Sequence, residues 1–260
     1  MNRKVALLIV EGGSDAAALT VPFRNYLRKS EAGCVFECAV YKTDITLHNY
    51  DDQYTIGDPY CVENRVVEAV KEYLSSEYNS NKYHLEDIGI AMTLSDLDAC
   101  YCKDDDLLFG GLECKTTINL LNKKLICNDI NYMKDRNVRK TTALGILSTT
   151  TVLAINNHHI PFRAFYCSIN LEHALYNDLS IVSFEDKMNA ARKWASKHKG
   201  DHELFYQSIQ SIPLLSNEYD KTWDEKLLRN NPFGRYSNIL LMIHWVVDES
   251  KKYLTNIKDD

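Results

Sequence analysis

"LLIVEGGSDAAAL", residues 7–19, sets four apolar residues against Glu11, two glycines and, four positions after the glutamate, Asp15. The unbroken apolar run inside Lys4–Val10 has no polar alternation, which is the pattern of a strand buried on both faces in a parallel sheet covered by helices. The residues just beyond this strand decide which ligand it can serve. The turn Glu11-Gly12-Gly13 lacks the Lys-Ser/Thr of a phosphate loop and the three-glycine spacing of a dinucleotide fingerprint. A glutamate there repels a bare phosphate and attracts one only across a bridging cation, while the glycines let backbone and ligand approach closely. Ser14 is expected to cap a helix from Asp15 to about Lys29, with Pro22 kinking or dividing it.

Working outward, Phe36–Tyr41 reads as the next strand and Lys42–Gly57, rich in Asp, Asn and Thr, as a loop. Asp58-Pro59 is a helix start, and Val62, Val66, Val67, Val70 and Leu74 recur at helical spacing to about Tyr78. "IGIAMTL", residues 88–94, is a buried strand running into "SDLDA". Thr117–Leu125 is expected to be helical, Pro161–Cys167 a strand, and Asn170 the start of a helix. Helices over Glu185–Lys197, Glu203–Ile209 and Tyr236 to about Leu254 complete the chain. Strand and helix alternate to residue 180 and helices follow. This predicts an α/β fold: a mostly parallel open sheet flanked by helices, with a helical C-terminal layer. Residues 1–180 would form the α/β unit and 181–260 a helical extension packed on it, unless the whole chain is one domain.

At 260 residues, 45% hydrophobic and 25% charged, the chain has an ordinary globular composition and length enough for a sizeable core. No apolar run reaches the roughly 18 residues of a membrane span. The N-terminal residues lack a secretory pattern, so a cytoplasmic location without membrane association is expected. The eight cysteines are then expected as thiols, and their spacing is not that of a zinc ribbon. A formal net charge of −6 argues against loose coating of nucleic acid, though not against a local basic groove.

In open α/β sheets ligands sit beyond the carboxyl ends of the strands. Glu11 follows one predicted strand, Asp96 and Asp98 follow "IAMTL", and Glu172 follows "FRAFYCSIN". If the strands are neighbours, these acids converge. Gathered carboxylates raise one another's pKa unless a cation neutralises them, and an all-oxygen donor set favours Mg²⁺ or Mn²⁺.

Glu11, Gly12, Asp15 and Leu19 match the Glu-Gly-x-x-Asp-x-x-x-Leu pattern of the Toprim domain, and Asp96 and Asp98 supply its Asp-x-Asp element on the following apolar strand. Over roughly residues 4–175 the chain resembles a Toprim protein. The second motif reads Asp96-Leu97-Asp98-Ala99-Cys100, where topoisomerases and ribosomal-RNA maturases normally have Asp-Pro-Asp. "INLEHALY" is more similar to the late acidic helix of Toprim proteins in the OLD, RloB and related phage-defence groups. The long OLD form with its own ATPase is excluded for this chain, which carries no ATPase motif.

The resemblance implies a Mg²⁺-dependent (or Mn²⁺-dependent) nuclease that hydrolyses phosphodiester bonds in RNA, such as tRNA, or in DNA, in a defence setting. It implies metal carboxylates at Glu11, Asp15, Asp96, Asp98 and Glu172, with Glu11 as general acid/base. Lys140 and Arg163 are the expected cations near the scissile phosphate. Nucleic acid is the implied substrate; an ATPase or sensor subunit, or a second copy of the chain, are the implied protein partners. The alternatives are a primase-like or maturase-like Toprim protein, and a catalytically idle Toprim module working inside a complex. Against these stand plainer assignments: Glu11 and Asp15 as caps of the first helix, Asp96 and Asp98 as turn residues, and Glu172 as a helix-dipole partner. Asp104–Asp106, His158, His159 and His173 read as solvated or structurally satisfied groups.

Overall fold

The computed structural model of the protein describes residues 3–46, 58–180 and 183–258. Strand β1 (Lys4–Val10) leads into helix α1 (Gly13–Lys29) and back to β2 (Phe36–Lys42). Helix α2 (Val62–Ser75) then crosses to β3 (Ile88–Asp96). A small three-stranded sheet comes next, built from β4 (Leu107–Phe109), β5 (Thr117–Asn119) and β6 (Lys124–Cys127) in the order β4-β6-β5. Helix α3 (Ile130–Thr149) returns the chain to the hairpin of β7 (Val152–Ile155) and β8 (His158–Cys167). Helices α4 (Leu171–Tyr176), α5 (Phe184–His198), α6 (His202–Gln210), α7 (Tyr219–Thr222), α8 (Glu225–Asn230) and α9 (Ile239–Lys258) close the fold.

The main sheet has the order β2-β1-β3-β8-β7, parallel throughout except for the antiparallel edge strand β7. The fold is therefore α/β, a mixed sheet of mostly parallel strands with helices on both faces. The alternation of β1 explains both layers. Ala6, Leu8 and Val10 join Phe23, Phe205, Ile243 and Trp245 on one face. Val5, Leu7 and Ile9 join Val66, Val70, Ala143 and Leu147 on the other. Both faces of one strand are buried, which is why the run shows no polar alternation. The chain leaves β1 for β2 on one side and returns to β3 on the other, so the carboxyl ends of β1 and β3 flank the crevice where strand order reverses.

Several local expectations are corrected. Ser14 does not cap α1: Gly12 is the N-cap, and its N–H donates to Asp15 Oδ2 at 2.8 Å. Pro22 is carried inside one unbroken helix. Thr117–Leu125 is not helical, because Asn119 Oδ1 accepts the Asn122 N–H and Lys123 takes φ +51°, closing a turn between β5 and β6. At Asp58-Pro59 the chain forms a short 3₁₀ turn before α2, with Asp58 accepting from the Tyr60 N–H. Of the loop expected over Lys42–Gly57, residues 47–57 lie outside the described residues. Helix α3 was not legible by its apolar period. Its buried face includes Arg136, Asn137 and Lys140 among Met133, Ala143, Leu144 and Leu147. No helix among the described residues is long and apolar enough to cross a membrane.

Candidate functional site

Glu11 is the first residue beyond β1 and Asp96 the last of β3, and the parallel pairing Val10↔Leu94 brings these two strand ends together. Glu11 Oε1 accepts the backbone N–H of Asp96 at 3.1 Å and lies 3.4 Å from Thr46 Oγ1. The strand register therefore joins the two acidic strand ends through a hydrogen bond 85 residues apart in sequence.

Beyond Asp96 the chain is strained. Asp98 and Ala99 both occupy the left-handed region, with φ of +47° and +56°, where a β-carbon costs about 1–3 kcal/mol per residue. The turn is held by Leu97 N–H to Cys167 O at 2.8 Å and Asp98 N–H to Ile169 O at 2.9 Å, both on the segment leaving β8. This fixes Asp98 toward α3, where Lys140 Nζ lies 2.5 Å and Arg136 Nη2 lies 2.6 Å from its Oδ2. Lys140 Nζ is also 3.6 Å from Glu11 Oε1. Its side chain is wholly buried, against 15% exposure for Glu11 and 35% for Asp98.

The remaining acids continue the cluster. Asp15, in the first turn of α1, is buried and interacts electrostatically with Asp96 and with Glu172. Glu172, on α4 behind the N-cap Asn170, has Lys187 Nζ of α5 3.5 Å from Oε2, an atom with no hydrogen bond of good geometry. In this row of carboxylates Lys140 and Arg136 pair with Asp98, and Lys187 with Glu172.

The row is unevenly compensated. Burial, together with the charges of Asp15, Glu11 and Asp98, pushes the Asp96 carboxyl well above the usual carboxylate range. Burial raises Glu11 despite Lys140, and burial and Glu172 raise Asp15 to about 6 against the Gly12 amide. At Asp98 burial works upward, but Lys140 and Arg136 outweigh it and hold the carboxyl low. Lys140, whose burial alone would lower it, is raised by Asp98 and Glu11.

No three His, Cys, Asp or Glu side chains among the described residues form a group that could hold a metal ion as placed. The Lys140 ammonium stands between Glu11 and Asp98. The donor chemistry nevertheless fits a hard divalent cation. All five acids offer carboxylate oxygen only, and among the described residues neither Asp15 nor Asp96 is ion-paired with a cation of the chain.

Arg163 is not brought to this site. It pairs with Met92 in the register of β3 and β8, four residues before the strand end, roughly 13 Å from it at the rise of a strand. Its guanidinium lies over the rings of Tyr219 and Trp245, 4.6 and 5.7 Å from their centroids. His158 and His159 are exposed at the start of β8, on the hairpin with β7.

Arg136 and Lys187 were not singled out as ligands from sequence. The available signals were the basic run at 134–140, where Arg136 lies one helical turn before Lys140, and the Lys187 position one turn into α5. Both line a cleft of about 500 Å³ beside the carboxylates, with Asp98, Asn170, half-exposed Tyr132 and Ile118.

Comparison with known proteins yields no match to this chain: no family model, no curated protein and no solved structure.

Proposed function

We propose that the chain is a Toprim-type, Mg²⁺-dependent (or Mn²⁺-dependent) nuclease that hydrolyses phosphodiester bonds in RNA or DNA. The observation that carries the reading is the meeting of Glu11 with Asp96 at the reversal of strand order, where the acids have more negative charge than Lys140, Arg136 and Lys187 offset. Glu11, Asp96, Asp15 and Glu172 would hold the cation, and Asp98 would join them only on release by Lys140 and Arg136. When bound, the metal would supply a Lewis acid for a phosphoryl oxygen and a lowered pKa for water.

The chain's own groups carry the rest. The Glu11 carboxyl, raised by burial, keeps a proton to higher pH than an ordinary carboxylate and would be the group that accepts or returns one. Arg136 and Lys187 would seat substrate phosphates along the cleft, with Tyr132 offering a ring face to an unpaired base. The cleft, about 500 Å³, reaches the carboxylates at Asp98.

One observation favours a second reading, an idle Toprim module that acts with a partner such as an ATPase or sensor subunit. Lys140 already neutralises Asp98 and reaches Glu11, as a built-in counter-ion would. Incubation of the purified protein with tRNA, single-stranded DNA and plasmid in Mg²⁺ separates the two. The nuclease reading expects cleavage by the parent, cleavage reduced about 10²–10⁴-fold in Glu11→Gln, and no cleavage by Asp96→Asn, with folded CD spectra throughout. Cleavage undiminished in both variants removes the mechanism. A parent that cleaves nothing, yet co-purifies with a stoichiometric partner, supports the idle module.

A further inference from the structure

A second cavity of about 270 Å³ opens between the β5–β6 turn, α4 and the segment that precedes α9. Lys123, His173, Asn177, Asn231 and Arg235 line it, with the buried Phe233 ring as an apolar wall. Among the described residues no acid lines it, in a chain whose formal net charge is −6. Two permanent cations therefore face one small space without a carboxylate to answer them.

His173 supplies the independent observation. The residue is 2% exposed, and Nδ1 is a buried polar atom with no hydrogen-bond partner, an arrangement that is costly when nothing satisfies it. The backbone of the same residue is fully engaged: its N–H donates to Asn170 Oδ1 at 2.8 Å and its C=O accepts from the Asn177 N–H at 2.9 Å. The backbone of His173 is thus fixed by α4, and the residue lines the cavity with Nδ1 unpartnered.

Arg235 is held as firmly. Nε and Nη2 both donate to the carbonyl of Ala174, at 3.0 and 2.8 Å, which orients the guanidinium while leaving its charge uncompensated. Lys123 reaches the cavity from a left-handed turn position, φ +51°, and Asn177 from another, φ +55°. Left-handed conformations are adopted by Asn more readily than by Lys, so the Lys123 backbone is placed by the turn and not by its own preference.

We infer that this cavity is a phosphate-binding site, with Arg235 and Lys123 supplying charge and the His173 ring and the Asn177 and Asn231 amides supplying further hydrogen bonds. The chemistry favours phosphate over a carboxylate. Five donor side chains exceed what two coplanar oxygens can use, whereas a tetrahedral oxyanion accepts from all sides. At about 270 Å³ the space falls just short of the ~300–1,000 Å³ of pockets that enclose drug-sized ligands, so it suits a phosphate with little more than a sugar attached. The phosphate would come free, from the end of a nucleotide, or from a nucleic-acid backbone. The inference does not depend on the nuclease reading, because none of these residues belongs to the carboxylate row.

The test is calorimetric titration of the full chain with inorganic phosphate at constant ionic strength and without divalent metal, repeated with a nucleoside 5′-monophosphate and with a dinucleotide that has only a bridging phosphate. Saturable one-site binding is expected, with the ¹⁵N signals of the His173 ring moving in step. Lys123→Gln, an exposed substitution, should weaken binding about tenfold and leave the Tm without phosphate unchanged. Arg235→Gln should weaken it further, and Lys252→Gln, exposed on α9, should leave it as it was. Binding of the dinucleotide assigns the site to a nucleic-acid backbone; binding of inorganic phosphate and the monophosphate alone assigns it to a free or terminal phosphate. Absence of saturable binding, or binding untouched by Lys123→Gln and Arg235→Gln, overturns the assignment and leaves the cavity to water.

Discussion

At the scale of single residues, Lys140 does most to set the electrostatics of the carboxylate row. Its ammonium is wholly buried and shared between Asp98 and Glu11, so its removal would leave both acids in a poor dielectric without their counter-charge. Breaking a buried ion pair from one side costs ~3–5 kcal/mol. Because Asp98 keeps 35% exposure, Lys140→Met is expected to lower unfolding stability by about 2–3 kcal/mol. Urea denaturation of the two proteins at pH 7 measures the difference. Mg²⁺ should restore part of the loss, since a bound cation takes the place of the ammonium. A variant as stable as the parent would mean that the acids meet their neutralisation as protons. Sequence located Lys140 in a basic run but not its partner, because nothing in the spacing of residues 98 and 140 says that their side chains meet.

At the scale of elements, β8 is completed by something other than a strand. Its first half pairs with β7, through Val152↔Pro161 to Ile155↔His158, but β7 stops there. Toward the site the exposed edge of β8 is covered by the segment entering α9. Tyr166 N–H donates to Asn238 Oδ1 at 2.7 Å, and Ser237 Oγ donates to Tyr166 O at 2.6 Å. Asn238 Nδ2 also donates to Thr222 Oγ1 at 3.1 Å, tying in α7. These bonds satisfy backbone groups that water cannot reach, for Asn238 and Tyr166 are fully buried. Asn238→Ala is accordingly expected to cost about 1–3 kcal/mol, and hydrogen exchange at the Tyr166 amide should accelerate more than exchange in β1. Equal protection in both proteins would show that the side chain is dispensable. No local pattern announces such a surrogate strand: a lone Asn before an amphipathic helix reads as a cap.

At the scale of the whole molecule, the helices after residue 183 and the sheet share one core. Leu8, Phe23 and Met92 pack in the same cluster as Trp194, Phe205, Ile243 and Trp245. Each large apolar side chain left exposed forfeits ~1.5–3 kcal/mol, so losing even a handful exceeds the ~5–15 kcal/mol that holds a typical domain. A chain ending at residue 180 is therefore expected to lack a cooperative thermal transition and to bind a hydrophobic dye such as ANS. A fragment with native near-UV CD and a sharp Tm would refute this.

Sequence by itself determined what depends on neighbours along the chain: the doubly buried strands at Lys4–Val10 and residues 88–94, the acids that follow them, and the helical character of α2, α5, α6 and α9. Burial on both faces and a 3.6-residue repeat are local signals that survive without a partner in view. Tertiary structure alone decided which charges meet. It placed Arg136 and Lys140 against Asp98, took Arg163 to two aromatic rings, and turned residues 117–127 into a small sheet beside the cleft. Helix α3 shows the physical reason. Where an element turns polar side chains inward toward a charged site, the alternation that would reveal it is interrupted, and only the distant carboxylates account for the interruption.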